Sequence, residues 1–588
     1  MHIYSLTNPR SPHRTLAAFS LASLLFGCAT TPPPATSPTS IAQTPSVSTT
    51  LITEVEKRGG APENETLDPV IIDWIGTIAS DYGWLFALGE LGGLDEKTVN
   101  DSTRDFVASQ LAWLSGDLET SADLINGLAV TDPQSVALVI REKQRKLTQS
   151  GDFLGAAKLA VNRDTQGDPA LASSGTEIFE LLSNASRSQL EAATRRAAPE
   201  SFWHGWLTLN LAYREGKPAV RTWLNKNRNH PANQVALPAG LSRWLNERPP
   251  ARIAVLLPLS GRLKSASEET LNGIVHGIYS HYRADAERPD LITIDTELLV
   301  NGGNAYQLAV ESGADFVIGP LIKSRVSEVA ALPELPIPVL ALNRAESPQA
   351  GDAKTNLLSL SLAPEDEAAQ ISALAWGKGL RSPLIIAESG LWGARMTDAV
   401  STTWQRLGGS NPQSTALNPE VEDNQIVANE TGTASSITRI RAMERAFDAP
   451  VDIQPRKRDD IDSIFILIDS TEKARELRPL LKFNYAGDLP VFAPSSIYQV
   501  QSGVNNRDLD GVNFVLAPGL MGTEGNQTQL FLLGLDAAQF VSHFNQALTT
   551  PATVMHGETG SLAHDLRGNV LRRLNPVVFA RGRVQASR

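Results

Sequence analysis

From residue 251 onward the chain alternates short continuous apolar runs with stretches whose apolar residues recur every three or four positions. The first run is Arg252-Ile-Ala-Val-Leu-Leu257. An uninterrupted run of this length marks a strand buried on both faces. Similar runs follow at Leu291–Ile294, Phe316–Ile318, Val339–Leu342, Leu384–Ala387, Ile464–Ile468 and Val491–Ala493. After the first run, Leu271, Ile274, Val275, Ile278 and Tyr282 fall on one face of a predicted helix. Strand–helix alternation predicts a doubly wound α/β fold, and the number of units over residues 251–588 predicts two α/β lobes. Residues 409–460 are polar and without period. They read as a long surface loop leading to a helix near Ile437–Phe447.

Residues 66–248 carry only the helical period, and Pro249-Pro250 ends it. Two segments align at an offset of 35 residues. Leu111-Ala-Trp-Leu-Ser-Gly-Asp-Leu118 with Ala122 and Leu124 matches Leu147-Thr-Gln-Ser-Gly-Asp-Phe153 with Ala157 and Leu159. The shared Ser-Gly-Asp reads as a turn between two helices, and the Ala as a close-packing position. Trp206–Trp223, with a turn at Glu215-Gly-Lys217, reads as a further helix pair. A period near 34 with this grammar resembles tetratricopeptide repeats. An unrelated helical bundle is the alternative. Both give an α domain suited to partner or polymer contact.

The first 65 residues contain no such pattern. Arg10, His13 and Arg14 precede an apolar run from Leu16 to Phe26, followed by Gly27 and Cys28. That run is about half the roughly 20 residues a membrane-spanning helix needs. A charged lead-in, a short apolar core and a small residue define a secretory leader over residues 1–27. Cys28 is the only cysteine in 588 residues. Its place directly after Gly27 resembles the lipobox of bacterial lipoproteins, although Phe26 is bulkier than that family's usual residue. The resemblance implies that Cys28 carries a thioether-linked diacylglycerol and an N-acyl chain. Ala29, where an Asp would favour the inner membrane, then implies the outer membrane, facing the periplasm. Residues 28–65 hold the lipidated cysteine and a Pro/Ser/Thr-rich tether, with too few large apolar residues for a core. Thirty-five such residues average about 35 Å end to end as a flexible coil.

Net charge is −12 for the whole chain, and loss of Arg10 and Arg14 with the leader takes it to −14. That balance opposes nucleic acid as a partner. One cysteine excludes CxxC zinc and redox sites, and no HExxH, GxSxG, GxGxxG or Walker A sequence occurs. No cofactor is implied. Ser470-Thr-Glu-Lys473 matches the SxxK of penicillin-interacting enzymes, but no KTG accompanies it. It reads as a helix start. His276 and His281 are five apart and do not share a helix face as a ligand pair would. Glu365, Asp366 and Glu367 follow Pro364, where acids complement a helix dipole. Asp459, Asp460 and Asp462 lack a calcium-loop glycine.

Ile253–Gly261 and Gly313–Pro320 resemble type I periplasmic-binding-protein folds. Further segments narrow the likeness: Pro338–Asn343, Leu362–Ala368, Trp392-Gly393, Asp508–Val512, Gly557–Leu562, Asn229–Ala232 and Leu237-Pro238. In this order, with the lipobox and the helical repeats, they resemble the LpoA family. Its members are outer-membrane lipoproteins that activate penicillin-binding protein 1A, a bifunctional peptidoglycan synthase. The resemblance implies an α + α/β multidomain chain: a tetratricopeptide-like α-solenoid, then a two-lobed type I periplasmic-binding-protein-like domain over 251–588. It implies a non-enzymatic activator of transpeptidation, with penicillin-binding protein 1A as partner, the outer membrane reached through the lipid, and peptidoglycan as a further contact. Two rivals remain open at this point. One is a solute-binding lipoprotein, for which only Ser324 beside Leu321 and Ile322 offers a small hydroxyl near the expected ligand position. The other is a cell-wall hydrolase using paired carboxylates.

Overall fold

The computed structural model describes residues 55, 57, 59–165, 175–234, 237–238, 241–282, 288–346, 356–447, 452–499, 506–521, 527–549, 555–565 and 567–587. The leader, Cys28 and the tether to residue 54 lie outside the described residues.

The described chain opens with helices in hairpins. Pro69–Tyr82 pairs with Trp84–Gly93, Asp101–Ser115 with Leu118–Gly127, Pro133–Gln149 with Phe153–Thr165, and Phe202–Glu215 with Lys217–Lys226. The repeated Ser-Gly-Asp forms both expected turns. Gly116 and Gly151 take φ of +92° and +84°, a conformation that costs other residues dearly. Asp117 and Asp152 then accept from the amides of Thr120 and Gly155, capping the next helix. The close-packing alanine is buried as expected in the second repeat, at Ala157, but not in the first. Ala122 is exposed, and the buried residue of the first repeat is Ser121, which aligns with buried Ala156. Ser121 Oγ donates to Ser109 O and accepts from Lys146 Nζ, so a polar pair replaces an apolar one there. Two apolar cores run through the array. One is built on Ile71, Ile75, Phe106 and Leu111, the other on Ile178, Phe179, Trp206 and Trp244.

The α/β part holds two sheets. The first contains β1 (Arg252–Leu257), β2 (Asp290–Asp295), β3 (Phe316–Ile318), β4 (Val339–Ala341) and β5 (Leu357–Leu360), all parallel where they pair. The second contains β6 (Pro383–Ala387), β7 (Gln413–Ala416), β8 (Ser463–Leu467), β9 (Val491–Ala493) and β10 (Val512–Leu516). The chain then returns to the first sheet with β11 (Met555–His556), β12 (Ser561–His564) and β13 (Asn569–Arg573). It ends in the second with β14 (Asn575–Ala580) and β15 (Arg583–Ala586). The spatial orders are 11-12-13-5-4-3-1-2 and 15-14-10-9-8-6-7. The polypeptide therefore passes between the lobes three times, after β5, after β10, and at Leu574 between β13 and β14. Two Rossmann-like lobes joined by three crossings form a type I periplasmic-binding-protein-like body.

Both faces of the first sheet are buried, as the continuous runs require. Ile253, Val255 and Leu257 enter one core, Ala254 and Leu256 the other. The helix after β1, Lys264–His281, buries Ile274 and Ile278, and Tyr282 at its end is buried too, but Val275 is 37% exposed. The reason is a glycine face. Gly273 and Gly277 press against Gly534 and Ala538 of the Gln529–Phe540 helix, and this close seam, not Val275, faces inward.

Residues 409–460 correct the expectation of a loop. Ahead of the expected helix, which runs Thr433–Phe447, they contain edge strand β7 and the Asp423–Glu430 helix. Strand β7 reads Gln-Ser-Thr-Ala and is mostly exposed, so no hydrophobic alternation announced it.

Candidate site at the lobe junction and the helical brace

Pro364 starts the Pro364–Gly377 helix just after the first crossing, which places Glu365, Asp366 and Glu367 on its first turn. These acids do more than complement a dipole. Arg344 Nη2, from the far lobe, donates to both carboxylate oxygens of Asp366, at 2.7 and 3.0 Å. Burial pushes its pKa up, and Arg344 pulls it partly back. Glu365 pairs with Arg395, whose Nε lies 2.8 Å away. Glu367 is 4% exposed and accepts from Ser495 N at 2.7 Å and Ser495 Oγ at 3.0 Å. Arg572, 3% exposed, stands 3.9 Å from Glu367 and donates from Nη1 to Thr559 O. Gln370 clamps the third crossing. Its Nε2 donates to Arg572 O and its Oε1 accepts from Leu574 N.

The second crossing is fixed by Asp536. Its carboxylate accepts from Glu558 N, Thr559 N and Thr559 Oγ1. It is fully buried, and desolvation raises its pKa to about 7 against the pull of those donors. A raised carboxylate pKa means that the folded chain resists ionisation the unfolded chain accepts. Asp536 thus contributes its full stability below the ordinary value of 3.8, and that contribution falls as pH rises toward about 7. Asp536→Asn cannot titrate. We expect the wild type to lose stability relative to this variant between those two pH values and the difference to level off above. Denaturant titrations of both proteins across pH check this; a pH-independent difference would contradict it.

The helical array grips both lobes. Arg381, just before β6, donates to Leu114 O at 2.9 Å and also to Trp113 O, and lies 3.7 Å over the Trp376 ring. Gly116 and Gly379 meet backbone to backbone, and a Cβ on Gly116 would stand 2.3 Å from Gly379 O. At the other lobe, Tyr213 Oη donates to Gln546 Oε1, Asn545 Nδ2 donates to Glu247 Oε1, and the Trp244 ring lies 5.3 Å from His543. Burial holds His543 at about 3, so it is neutral here. At the junction itself, the Arg573 guanidinium sits 4.4 Å over Phe153. The array is therefore a brace across a two-lobed body. Any closure of one lobe on the other must slide one of these contacts.

Other sequence candidates take structural roles. Ser470 Oγ accepts from Lys473 N as a helix cap, while Lys473 Nζ turns away to Asp423 and Glu476. The SxxK residues therefore form no nucleophile–base pair. We expect Ser470→Ala to cost about 1 kcal/mol, the ordinary value of a lost cap, and to leave labelling by fluorescent penicillin at the unsubstituted level. Asp460 pairs with Arg458, and Asp462 accepts from Ser382 N at 2.9 Å. His276 and His281 make ring contacts with Phe531 and Tyr282. Ser324 lies in the short Lys323–Ala330 helix after the Gly319–Pro320 turn. Sequence reasoning missed Arg344, Arg381, Arg572 and Asp536. Each acts through a partner distant in sequence, so no local pattern marked it.

The fold and this junction define a helical-repeat array braced on a two-lobed, binding-protein-like α/β body. The family model described as "LppC putative lipoprotein" matches residues 139–582, and the chain belongs to that lipoprotein family. A Photobacterium profundum protein named penicillin-binding protein activator LpoA is 27% identical over 432 residues, covering 68% of this chain and 69% of the relative. A Yersinia pestis protein of the same name is 23% identical over 465 residues, covering 66% and 70%. The crystal structure of full-length LpoA from Haemophilus influenzae aligns over 92% of this chain and 97% of its own, with 20% identity and a TM-score of 0.49.

Proposed function

We propose that this chain is a non-catalytic, outer-membrane lipoprotein that binds penicillin-binding protein 1A and stimulates its transpeptidase. The observation that carries this reading is the family match. It runs through both the helical array and the two lobes, and the curated relatives are named penicillin-binding protein activators. The geometry supports it. Acids at the lobe junction are engaged by Arg344, Arg395 and Ser495, and the array braces both lobes, which suits a shaped docking body better than a solute trap. Such a protein acts on chemistry by shifting the conformational populations of an enzyme. Cys28 would carry the lipid, and residues 29–64 would supply reach toward a synthase in the opposite membrane.

The test mixes the full chain with purified synthase and lipid-linked precursor and measures the cross-linked fraction. We expect it to rise, and to return to zero when penicillin blocks the synthase nucleophile. Unchanged cross-linking would reject the reading, and binding of a small solute at micromolar affinity by the same preparation would replace it with the transport rival.

A further inference from the structure

The contact between the helical array and the first lobe is built around a histidine. His543 closes the short Val541–His543 turn after the Gln529–Phe540 helix. Val541 before it and Phe544 after it enter the core under β1, so the lobe holds its backbone. The array covers its ring. The Trp244 ring lies 5.3 Å away at a tilt of 30°, and Tyr213 meets it edge-on at 6.0 Å. Both belong to the core of the array, and His543 is 6% exposed beneath them. Its Nδ1 stands 3.2 Å from Gln539 O and 3.0 Å from Ser542 Oγ. A ring nitrogen beside a carbonyl oxygen carries the hydrogen, so a further proton would go on Nε2.

The surroundings oppose that proton. From the array comes Lys217, whose Nζ lies 5.6 Å over the Trp244 ring and donates to Glu247 O at 2.9 Å. Arg214, at the end of the Phe202–Glu215 helix, acts on His556. The Lys264–His281 helix brings His281, in edge contact with Tyr282. Strands β11 and β12 bring His556, whose Nδ1 is 3.2 Å from Ser561 Oγ, and His564, which meets the carbonyls of Ala547 and Asp565. Tyr213 and Tyr282 are kept neutral by burial. The carboxylate on this side is Glu247, whose Oε1 accepts from Asn545 Nδ2. Among these described groups, two are cations, three are histidines able to become cations, and one is an anion.

Burial pushes the His543 pKa down to about 3; the Gln539 carbonyl pulls it partly back, and His281 and Lys217 push it further down. With the array lifted off, the ring meets water and regains its ordinary value of 6.5. A pKa depressed only in the seated state means that the released state takes the proton. Seating is therefore at full strength above 6.5 and is lost progressively as pH falls toward about 3. The loosening is one-sided. Arg381 grips the array through its guanidinium and the carbonyls of Leu114 and Trp113, none of which changes charge in this range. Asp536, on the helix that carries His543, contributes more stability as pH falls below about 7. The grip on the second lobe and the first lobe itself both hold in acid that loosens the seat.

We propose that the contact between the helical array and the first lobe is an acid-sensitive latch, in which a seated array and a proton on His543 exclude each other. Trp244 and Tyr213 close over the neutral ring, and a charged ring lifts them off. Opening removes the contact at one end of the brace, so the array no longer spans the two lobes. The latch belongs to the fold and does not depend on the partner proposed above.

The test uses the full chain with Cys28→Ala, which removes the native thiol, and with Asn225→Cys and Leu298→Cys to carry spin labels on the array and the first lobe. Both label positions are exposed. Label-to-label distances, measured in urea series at several pH values, give the balance of seated and released array. That balance is expected to fall about a hundredfold between pH 7.5 and 4.5, the effect of one histidine moving from 6.5 to about 3 on seating. Far-UV circular dichroism without urea should stay unchanged over the same range. His543→Gln takes no proton, and its balance should change less than tenfold. The nitrogen signals of the His543 ring, identified by their absence in that variant, keep the idea testable if glutamine does not seat. They should stay those of a neutral ring to pH 4.5 in the seated chain and titrate near the ordinary histidine value when urea releases the array. A balance independent of pH, or the same hundredfold fall in His543→Gln, would overturn the latch. So would a His543 ring that titrates near 6.5 while the labels report a seated array, or loss of helical signal in step with release, which is plain acid unfolding.

Discussion

Cys28→Ala should leave the chain without acyl mass and remove it from the outer membrane. The argument starts from the apolar run Leu16–Phe26, which ends at Gly27-Cys28 and is too short to span a bilayer. Among the described residues no helix is long and apolar enough to cross a membrane. The lipid proposed on Cys28 would then be the strong attachment. One acyl chain gives only reversible binding, and stable anchoring takes two signals. A thioether diacylglycerol with an N-acyl chain exceeds that requirement, and the alanine variant has no thiol to receive the first of them. Intact-mass measurement and membrane fractionation check the expectation. A variant that stays in the outer membrane at the unsubstituted level would show that the attachment lies elsewhere. Because the described body is untouched by the change, the activation of the synthase proposed above should survive it in detergent.

The strands buried on both faces were legible, because β1, β6 and β8 are continuous apolar runs and both of their faces touch core. The Ser-Gly-Asp turns were legible because a helix-ending glycine with a following aspartate cap is a local code. Strands without an apolar run were not. Edge strand β7 is polar on both sides, and interior strand β13 alternates Val570 and buried Arg572 with half-buried residues. The lobe junction was half legible. Glu365, Asp366 and Glu367 were visible as a helix start, but Arg344 and Arg572 lie 22 and 205 positions from Asp366 and Glu367, and only the fold brings them together. The brace was illegible for the same reason. Arg381 meets carbonyls 267 and 268 positions away. The Thr433–Phe447 helix was expected near its observed place, yet periodicity alone could not tell that Ile437 and Ile440 would be only half-buried.

Gly273→Val should unfold the first lobe and release the helical array from it. Gly273 lies where the Lys264–His281 helix crosses the Gln529–Phe540 helix. A Cβ there would stand 2.0 Å from Phe531 O, and one on Gly534 would stand 2.2 Å from Thr270 O. Both obstacles are backbone atoms, so no rotamer change relieves them. The helices must move apart, which opens the seam that also packs Gly277 on Ala538. The Gln529–Phe540 helix has three attachments besides this one. Leu533, Ala537 and Ala538 enter the core under β1. Asp536 holds the Glu558-Thr559 amides at the second crossing. Its continuation carries His543, Asn545 and Gln546 to the array. Displacing it therefore strains core, crossing and brace together. Overpacking in a close-packed site costs roughly 3 kcal/mol at the upper end of its usual range, and the shared attachments place this site there. Denaturant unfolding and limited proteolysis at residues 247–250 should both show the loss. Gly76→Ala is the matched control. Gly76 is exposed in the Pro69–Tyr82 helix with nothing within 4 Å of its missing Cβ. Alanine there should stabilise by about 0.5–1 kcal/mol, since it restricts only the unfolded chain. Equal effects at the two glycines would mean that helix propensity, not the crossing, decides the outcome.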